Sequence, residues 1–342
     1  MAGVNIKMLA NKLNISIATV SKALHDSHEI SLATKQRVLA LAEELNYVAN
    51  PYASSLKGKS SKTIAVVIPE VADSFFALSI NGIESIAQKN GYHVLIYLTH
   101  ESFSNEQAIF KVIQNGRVDG IIMSVSSETT HTDHIKDLQL KGIPVVFFDR
   151  VCEGIETVKI TTNDFQSGYD ATQHLIECGC KNISFFTISD KLAISQYRLA
   201  GHRQALTDHQ LEFNEEDIVL CNNDEVFNYE VIKELMKQKK HPDGVIASVE
   251  KLATTFYVVC KELRISIPDK VKVISFSNLA AAAILNPSLT TITQPAFEMG
   301  HAAASGLFRI LGEKLFNYKK ESLIMPSVLI VRDSTSSPTK GK

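Results

Sequence analysis

The sequence predicts an α/β protein with a small all-α head: an N-terminal helix-turn-helix unit, a short linking helix, and a body of two doubly wound α/β subdomains. Three observations carry this prediction. The first 50 of the 342 residues hold three short amphipathic segments and no strand pattern. From Lys62 onward, apolar strand runs alternate with helical stretches. That alternation then echoes itself: Asp119-Gly120-Ile121-Ile122 is matched by Asp243-Gly244-Val245-Ile246, and Ile143-Pro144 by Ile267-Pro268.

In the head, Asn5 suits the cap of a first helix whose Ile6, Leu9, Ala10 and Leu13 fall at helical spacing. "LNIS" breaks it, and Ser16 caps a second helix, "SIATVSKAL". Val20, Ala23 and Leu24 form its apolar stripe, leaving Ile17, Ala18, Ser21 and Lys22 off it. A third helix runs from Ser31 to about Asn46, with Leu32, Val38, Leu41, Ala42 and Leu45 on one face. A helix-turn-helix unit sets its second helix in the DNA major groove. A generic three-helix bundle fits the same periodicity. Charge favours DNA: residues 1–62 hold eight Lys/Arg and four Asp/Glu, a net of +4, on a chain whose net charge is −2.

"NPYASSLKGKSS" (50–61) follows. Asn50 suits a cap, Pro51 a first helical position and Gly58 a stop. Two turns are too few to stand alone in water, so this helix is expected to form on a partner. Leu56 suits an apolar wedge in a minor groove; a plain linker with Leu56 packed on the body is the other reading.

The body is read as strand 63–69, helix 76–90, strand 93–98, helix 103–115, strand 118–123, helix 131–141 and strand 143–149. A second series opens with "VKIT" and continues through helix 167–178, "NISFFTI", helix 194–209, "DIVL", helix 226–239, "PDGVIA", helix 250–262 and "VKVISF". Two such subdomains leave a cleft between them for a ligand. "THTDH" (130–134) reads as a solvated helix start.

Several classes lack support. The five cysteines include no CxxC pair, so neither a disulfide framework nor a zinc site is expected. There is no P-loop, no GxGxxG after a strand, no GxSxG and no HExxH. No cofactor, metal or catalytic residue is expected, although catalytic groups can meet in space without a sequence motif. The N-terminus has no signal-peptide run and nowhere do 18 apolar residues run together, so a soluble cytoplasmic protein with no membrane partner is expected.

Taken with "IKMLANKLNISIATVSKAL", "AEELNYVANPYASSL", "IAVVIPEVADSFF", "RVDGII", "RLAGHRQAL" and "PSLTTITQPAFEMG", the chain resembles the lactose/galactose-repressor (LacI/GalR) regulators from Val4 to about Arg332. The resemblance implies a periplasmic-binding-protein-like body and a homodimer on a near-palindromic double-stranded operator. It also implies a small effector, a sugar or related metabolite, in the interdomain cleft. Carried over by position, Ile17, Ala18 and Lys22 meet base edges, and Asn5, Ser16, Thr19, Ser21, Ser31, Thr34 and Tyr47 fix phosphates. Asn50, Ala53 and Leu56 form the minor-groove lever. Asp73, Ser74, Phe75, Asp149, Arg150, Arg198, Ser277 and Gln294 line the effector cleft.

Some positions depart from the family pattern. The common "AND" reads Ser248-Val249-Glu250, and "GFD" or "GYD" reads Ser275-Phe276-Ser277. There is no Trp to stack on a sugar. The implied domains are 1–49 (head), 50–61 (hinge) and 62–332 (effector domain), with a disordered tail over 333–342. Within the effector domain, the N-subdomain covers 62–160 and 291–320, and the C-subdomain 161–290 and 321–332. The tail has no apolar heptads, so a dimer is expected rather than a coiled-coil tetramer. A solute-binding protein and a cytosolic α/β enzyme are the competing function classes.

Overall fold

The computed structural model describes residues 4–24, 26–47, 60–114, 117–312 and 317–336. It separates into two units, Met1–Ser61 and Lys62–Lys342, the head and the body.

The head holds α1 (Ile6–Leu13), α2 (Ile17–Leu24) and α3 (Leu32–Glu44). Its caps are the expected ones: Asn5 accepts from the Met8 amide, Ser16 Oγ from the Thr19 amide and Ser31 Oγ from the Thr34 amide. α1 stops at Asn14, whose φ of 54° is left-handed; asparagine tolerates that region, and the chain reaches the cap of α2 two residues later. Leu9, Ala10, Val20, Ala23, Val38 and Ala42 form the core, with Tyr47 packed at its edge. Leu32, expected inside, is 72% exposed. It lies six residues before Val38, about 120° round the helix from it. Residues 50–59 of the expected hinge, Asn50, Ala53 and Leu56 among them, lie outside the described residues.

The body has two lobes, each built on one sheet. The first holds β1 (Thr63–Ile68), β2 (His93–Leu98), β3 (Gly120–Met123), β4 (Val145–Phe148), β5 (Lys159–Thr162) and β11 (Leu323–Met325), in the order β11-β5-β4-β3-β1-β2. The second holds β6 (Ile183–Thr187), β7 (Ile218–Leu220), β8 (Gly244–Ala247), β9 (Lys272–Phe276), β10 (Thr290–Thr293) and β12 (Val328–Ile330), in the equivalent order β12-β10-β9-β8-β6-β7. Pairing is parallel except for β12, antiparallel to β10.

Helices cover both faces of each sheet, and that is why the central strands read as continuous apolar runs. In β1, Ile64, Val66 and Ile68 join a core with α4 (Ser74–Lys89) and α11 (Ala296–Gly312), while Ala65 and Val67 face α5 (Phe103–Ile113) and α6 (Asp133–Leu140). The second sheet is covered by α7 (Asp164–Glu177) and α8 (Ala193–Asp208) on one face, and by α9 (Glu225–Lys237) and α10 (Glu250–Leu263) on the other. α7 and α8 touch backbone to backbone. A Cβ on Gly168 would lie 2.0 Å from the Arg198 carbonyl oxygen, and one on Gly201 2.0 Å from that of Phe165. The glycine of "RLAGH" thus lets α8 bring Arg198 beside the start of α7.

Several expectations move. "VKIT" does not open the second lobe; as β5 it pairs with β4 and β11 in the first. The chain crosses between lobes at Asn163, at Gln294-Pro295 and at Pro326-Ser327, so residues 291–293 belong to the C-subdomain and 323–325 to the N-subdomain. Periodicity marks a strand but not its sheet. Residues 334 and 335 do not belong to a disordered tail: Ser334 and Thr335 are buried, and Ser334 bonds Ser288, Thr290 and Val273. Polar side chains satisfied by backbone partners gave no apolar signal there. "THTDH" is only partly solvated, because the half-buried His134 bonds the buried Glu106, Nε2 to Oε1 at 2.8 Å.

Candidate functional site

On the head, the outer edge of α2 is open. Ile17 is 44% exposed, and Ala18 and Lys22 are exposed beside it. The Lys22 ammonium pairs with the exposed Glu29 carboxylate. Ser16 and Ser31 sit at the N-termini of α2 and α3, their hydroxyls also bonded to Thr19 and Thr34. Helix N-termini present free amides and a positive dipole end, a fit for phosphate. Asn5 caps α1, exposed. Ser21 and Tyr47 are half-buried.

In the body, a cleft between the lobes is lined by Asp73, Phe75, Phe76, Asp149, Arg150, Arg198, Ser277 and Gln294, together with Ser248, Val249, Phe276 and Asn278. All the expected cleft residues except Ser74 line it. All but Arg198, which lies in the second turn of α8, arrive at a strand's carboxyl end or a helix start, as parallel α/β topology dictates.

Asp73 caps α4, Oδ1 accepting from the Phe75 amide at 2.9 Å. Burial, with the Glu250 carboxylate next, pushes its acid up to about 6. Phe75, Phe76 and Phe148 pack ring to ring, with centroids 5.3–6.3 Å apart. Both Phe75 and Phe76 are therefore core residues whose edges face the cleft.

Asp149 closes β4 in left-handed backbone, φ 60°. Its carboxylate accepts from Ser124 Oγ at 3.3 Å and faces Gln294 Nε2 at 3.5 Å. Burial raises its acid, against the pull of Arg150 and Arg198. Arg150 does not chiefly pair with Asp149, which lies 3.7 Å away. Its Nη1 donates to both oxygens of Glu101, at 2.9 and 2.7 Å. Burial opposes ionisation of Glu101, but Arg150 and the Ser127 amide outweigh it and hold its carboxyl below the usual range.

Arg198 is 4% exposed. Its Nε donates to Asp164 Oδ1 at 2.8 Å and its Nη1 to the Ser248 carbonyl at 2.9 Å, and the guanidinium lies 3.9 Å over the Phe276 ring. Burial pushes the Asp164 acid up against that pairing. Three buried polar atoms on cleft-lining residues have no protein partner: Arg198 Nη2, Ser248 Oγ and Asn278 Oδ1. Buried groups of this kind ask for a bound partner.

Ser74 and Ser277, the latter on the cleft lining, are both engaged by Glu250. Oε1 accepts from the Ser74 amide and hydroxyl, and Oε2 from the Ser277 hydroxyl. Sequence reasoning missed Glu101, Asp164 and Asn278. Glu101 and Asp164 follow strands β2 and β5 closely, where a cleft residue could have been sought. Gln294 sits at a lobe crossing, 3.3 Å from Thr162 Oγ1. The five cysteines are free thiols. No described helix is long and apolar enough to cross a membrane.

A family profile described as "Periplasmic binding proteins and sugar binding domain of LacI family" matches residues 61–332, and "Bacterial regulatory proteins, lacI family" matches residues 5–50. The HTH-type transcriptional regulator RegA of Clostridium saccharobutylicum is 28% identical, with 97% of this chain and 99% of that protein covered. The ribose operon repressor of Haemophilus influenzae is 27% identical, at 97% and 98% coverage. The lac repressor dimer bound to operator and the anti-inducer ONPF superposes with a TM-score of 0.82 over 98% of this chain and all of that one. At 19% identity, that likeness concerns the fold.

Proposed function

We propose that this chain, which belongs to the lacI family of bacterial regulatory proteins, represses transcription from a near-palindromic operator under control of a small neutral ligand held in the body's cleft. The head supplies the DNA contact. Ile17 and Ala18 offer apolar surface to thymine methyl groups and Lys22 a donor to guanine, while the capped N-termini of α2 and α3 take phosphates. Asn50, Ala53 and Leu56 complete the contact as the minor-groove lever.

The observation that carries the ligand half is the set of unpartnered buried atoms, Arg198 Nη2, Ser248 Oγ and Asn278 Oδ1, on cleft-lining residues beside the Phe276 ring. Two can donate and two can accept, which suits vicinal hydroxyls. Around them Asp73, Asp149, Asp164, Glu101 and Glu250 outnumber Arg150 and Arg198, so a neutral polyhydroxyl compound fits better than a carboxylate or phosphate. A sugar or sugar derivative is the class proposed. The ribose operon repressor among the relatives, and a 26% identical LacI family regulator from Enterococcus faecium solved with bound ribose at a TM-score of 0.69, covering 80% of this chain and 98% of that one, support that class.

The protein works by binding rather than turnover, in the cytoplasm, as a homodimer matching two half-sites. Large apolar side chains left at the surface, Val226 and Ile284 among them, are of the kind a second copy would cover. The test is a pull-down of sheared genomic DNA from the source organism by the full-length protein, with and without a panel of neutral sugars. Discrete palindromic sites whose recovery changes with one sugar are expected. Diffuse recovery that no sugar alters would overturn the proposal.

A further inference from the structure

Glu250 opens α10 in the second lobe, and its carboxylate reaches across to the first. Oε1 accepts from the Ser74 amide at 2.8 Å and from Ser74 Oγ at 2.9 Å, at the N-terminus of α4. Oε2 accepts from Ser277 Oγ at 2.9 Å, and Ser277 Oγ in turn accepts from the Leu279 amide at 3.0 Å. One side chain therefore joins the start of a first-lobe helix to the loop after β9 in the second lobe, beside the ligand cleft. An anion at a helix N-terminus with a bonded amide and hydroxyl is a favourable arrangement.

We infer that Glu250 is an intramolecular ligand, a latch that holds the cleft closed without effector and withdraws Ser74 and Ser277 from effector contact. The inference deepens the reading of the cleft as the ligand site and rests on it for its functional consequence. Effector contacts are thereby narrowed to the cleft groups that Glu250 leaves open, among them Asp73 and Asp149 on the first lobe, and Arg198, Ser248 and Asn278 on the second.

The reach of glutamate matters. Aspartate at 250 is shorter by one methylene, about 1.5 Å, and cannot span Ser74 and Ser277 together. It keeps an acid in the first turn of α10, where the helix dipole favours one. Glu250→Asp therefore separates the latch from the stability of its helix.

Closure is read by hydrogen-exchange mass spectrometry on the full-length protein, with neither sugar nor DNA present. In Glu250→Asp, and more so in Glu250→Ala, the segment containing the Ser74 amide exchanges at least about tenfold faster. The segment containing the Leu279 amide follows, while the β1 and β8 segments are unchanged. An exchange rate at Ser74 in Glu250→Asp equal to wild type would overturn the inference. Because no ligand or operator enters, that failure is distinct from a failure of the pull-down, which would sink the regulatory reading instead.

Discussion

Asp73→Asn should make the body more stable at neutral pH and remove part of its pH dependence. In the folded protein the Asp73 acid stands at about 6, against 3.8 ordinarily, because it is buried beside Glu250 and Asp149. A raised acid favours the folded state only while protonated. Its stabilisation is complete below 3.8 and is lost as pH rises through 6. About two units at 1.36 kcal/mol each give a swing of about 3 kcal/mol. Asparagine keeps the cap, since its Oδ1 can still accept from the Phe75 amide, and it carries no charge to bury. In urea unfolding of wild type and variant across pH 4–8, the variant's advantage should grow by roughly 2–3 kcal/mol toward high pH, most of it between pH 4 and 6.5. Other acids titrate in both proteins and cancel in the difference. Two stability curves running parallel across that range would refute the argument that burial and Glu250 tax the Asp73 anion.

Two further outcomes follow from the geometry. Lys22→Ala should cost about 1–3 kcal/mol on the preferred operator and little on random DNA, measured by anisotropy titration at fixed salt. Its exposed pairing with Glu29 is worth under about 1 kcal/mol and offsets little of this; equal losses on both DNAs would make Lys22 a backbone contact. For the buried Glu101–Arg150 pair, Glu101→Gln or Arg150→Met alone should each cost about 3–5 kcal/mol in denaturant unfolding, because the remaining charge is stranded. The double variant should cost well under their sum; strictly additive losses would mean the two do not act as a pair.

Much of the head was legible because its signals are local. Asn5, Ser16 and Ser31 cap helices through bonds spanning three residues, so a short window of sequence contains the whole interaction. The strand runs of the body were legible for a related reason: sheets covered on both faces need apolar residues on both faces of each strand. Ser74, Ser277 and Arg150 show where that legibility stops. Each was placed near the cleft by its position after a strand or at a helix start, yet the partner of each comes from a distant part of the chain. Ser74 and Ser277 meet Glu250, and Arg150 meets Glu101, 49 residues away.

The sequence by itself determined the helical head, its caps, the alternating strands and helices of the body, and the set of polar residues gathered at strand ends, since each depends on spacing and residue type along the chain. Only the tertiary structure decided that β5 and β11 complete the first sheet and that Thr335 is part of the second lobe's packing. It alone decided that Glu250 reaches Ser74 and Ser277, and that Arg198 keeps one nitrogen unpartnered. Those outcomes depend on which segments the three lobe crossings bring within hydrogen-bonding distance, and a bond of about 3 Å between residues far apart in sequence leaves no trace in the spacing of either.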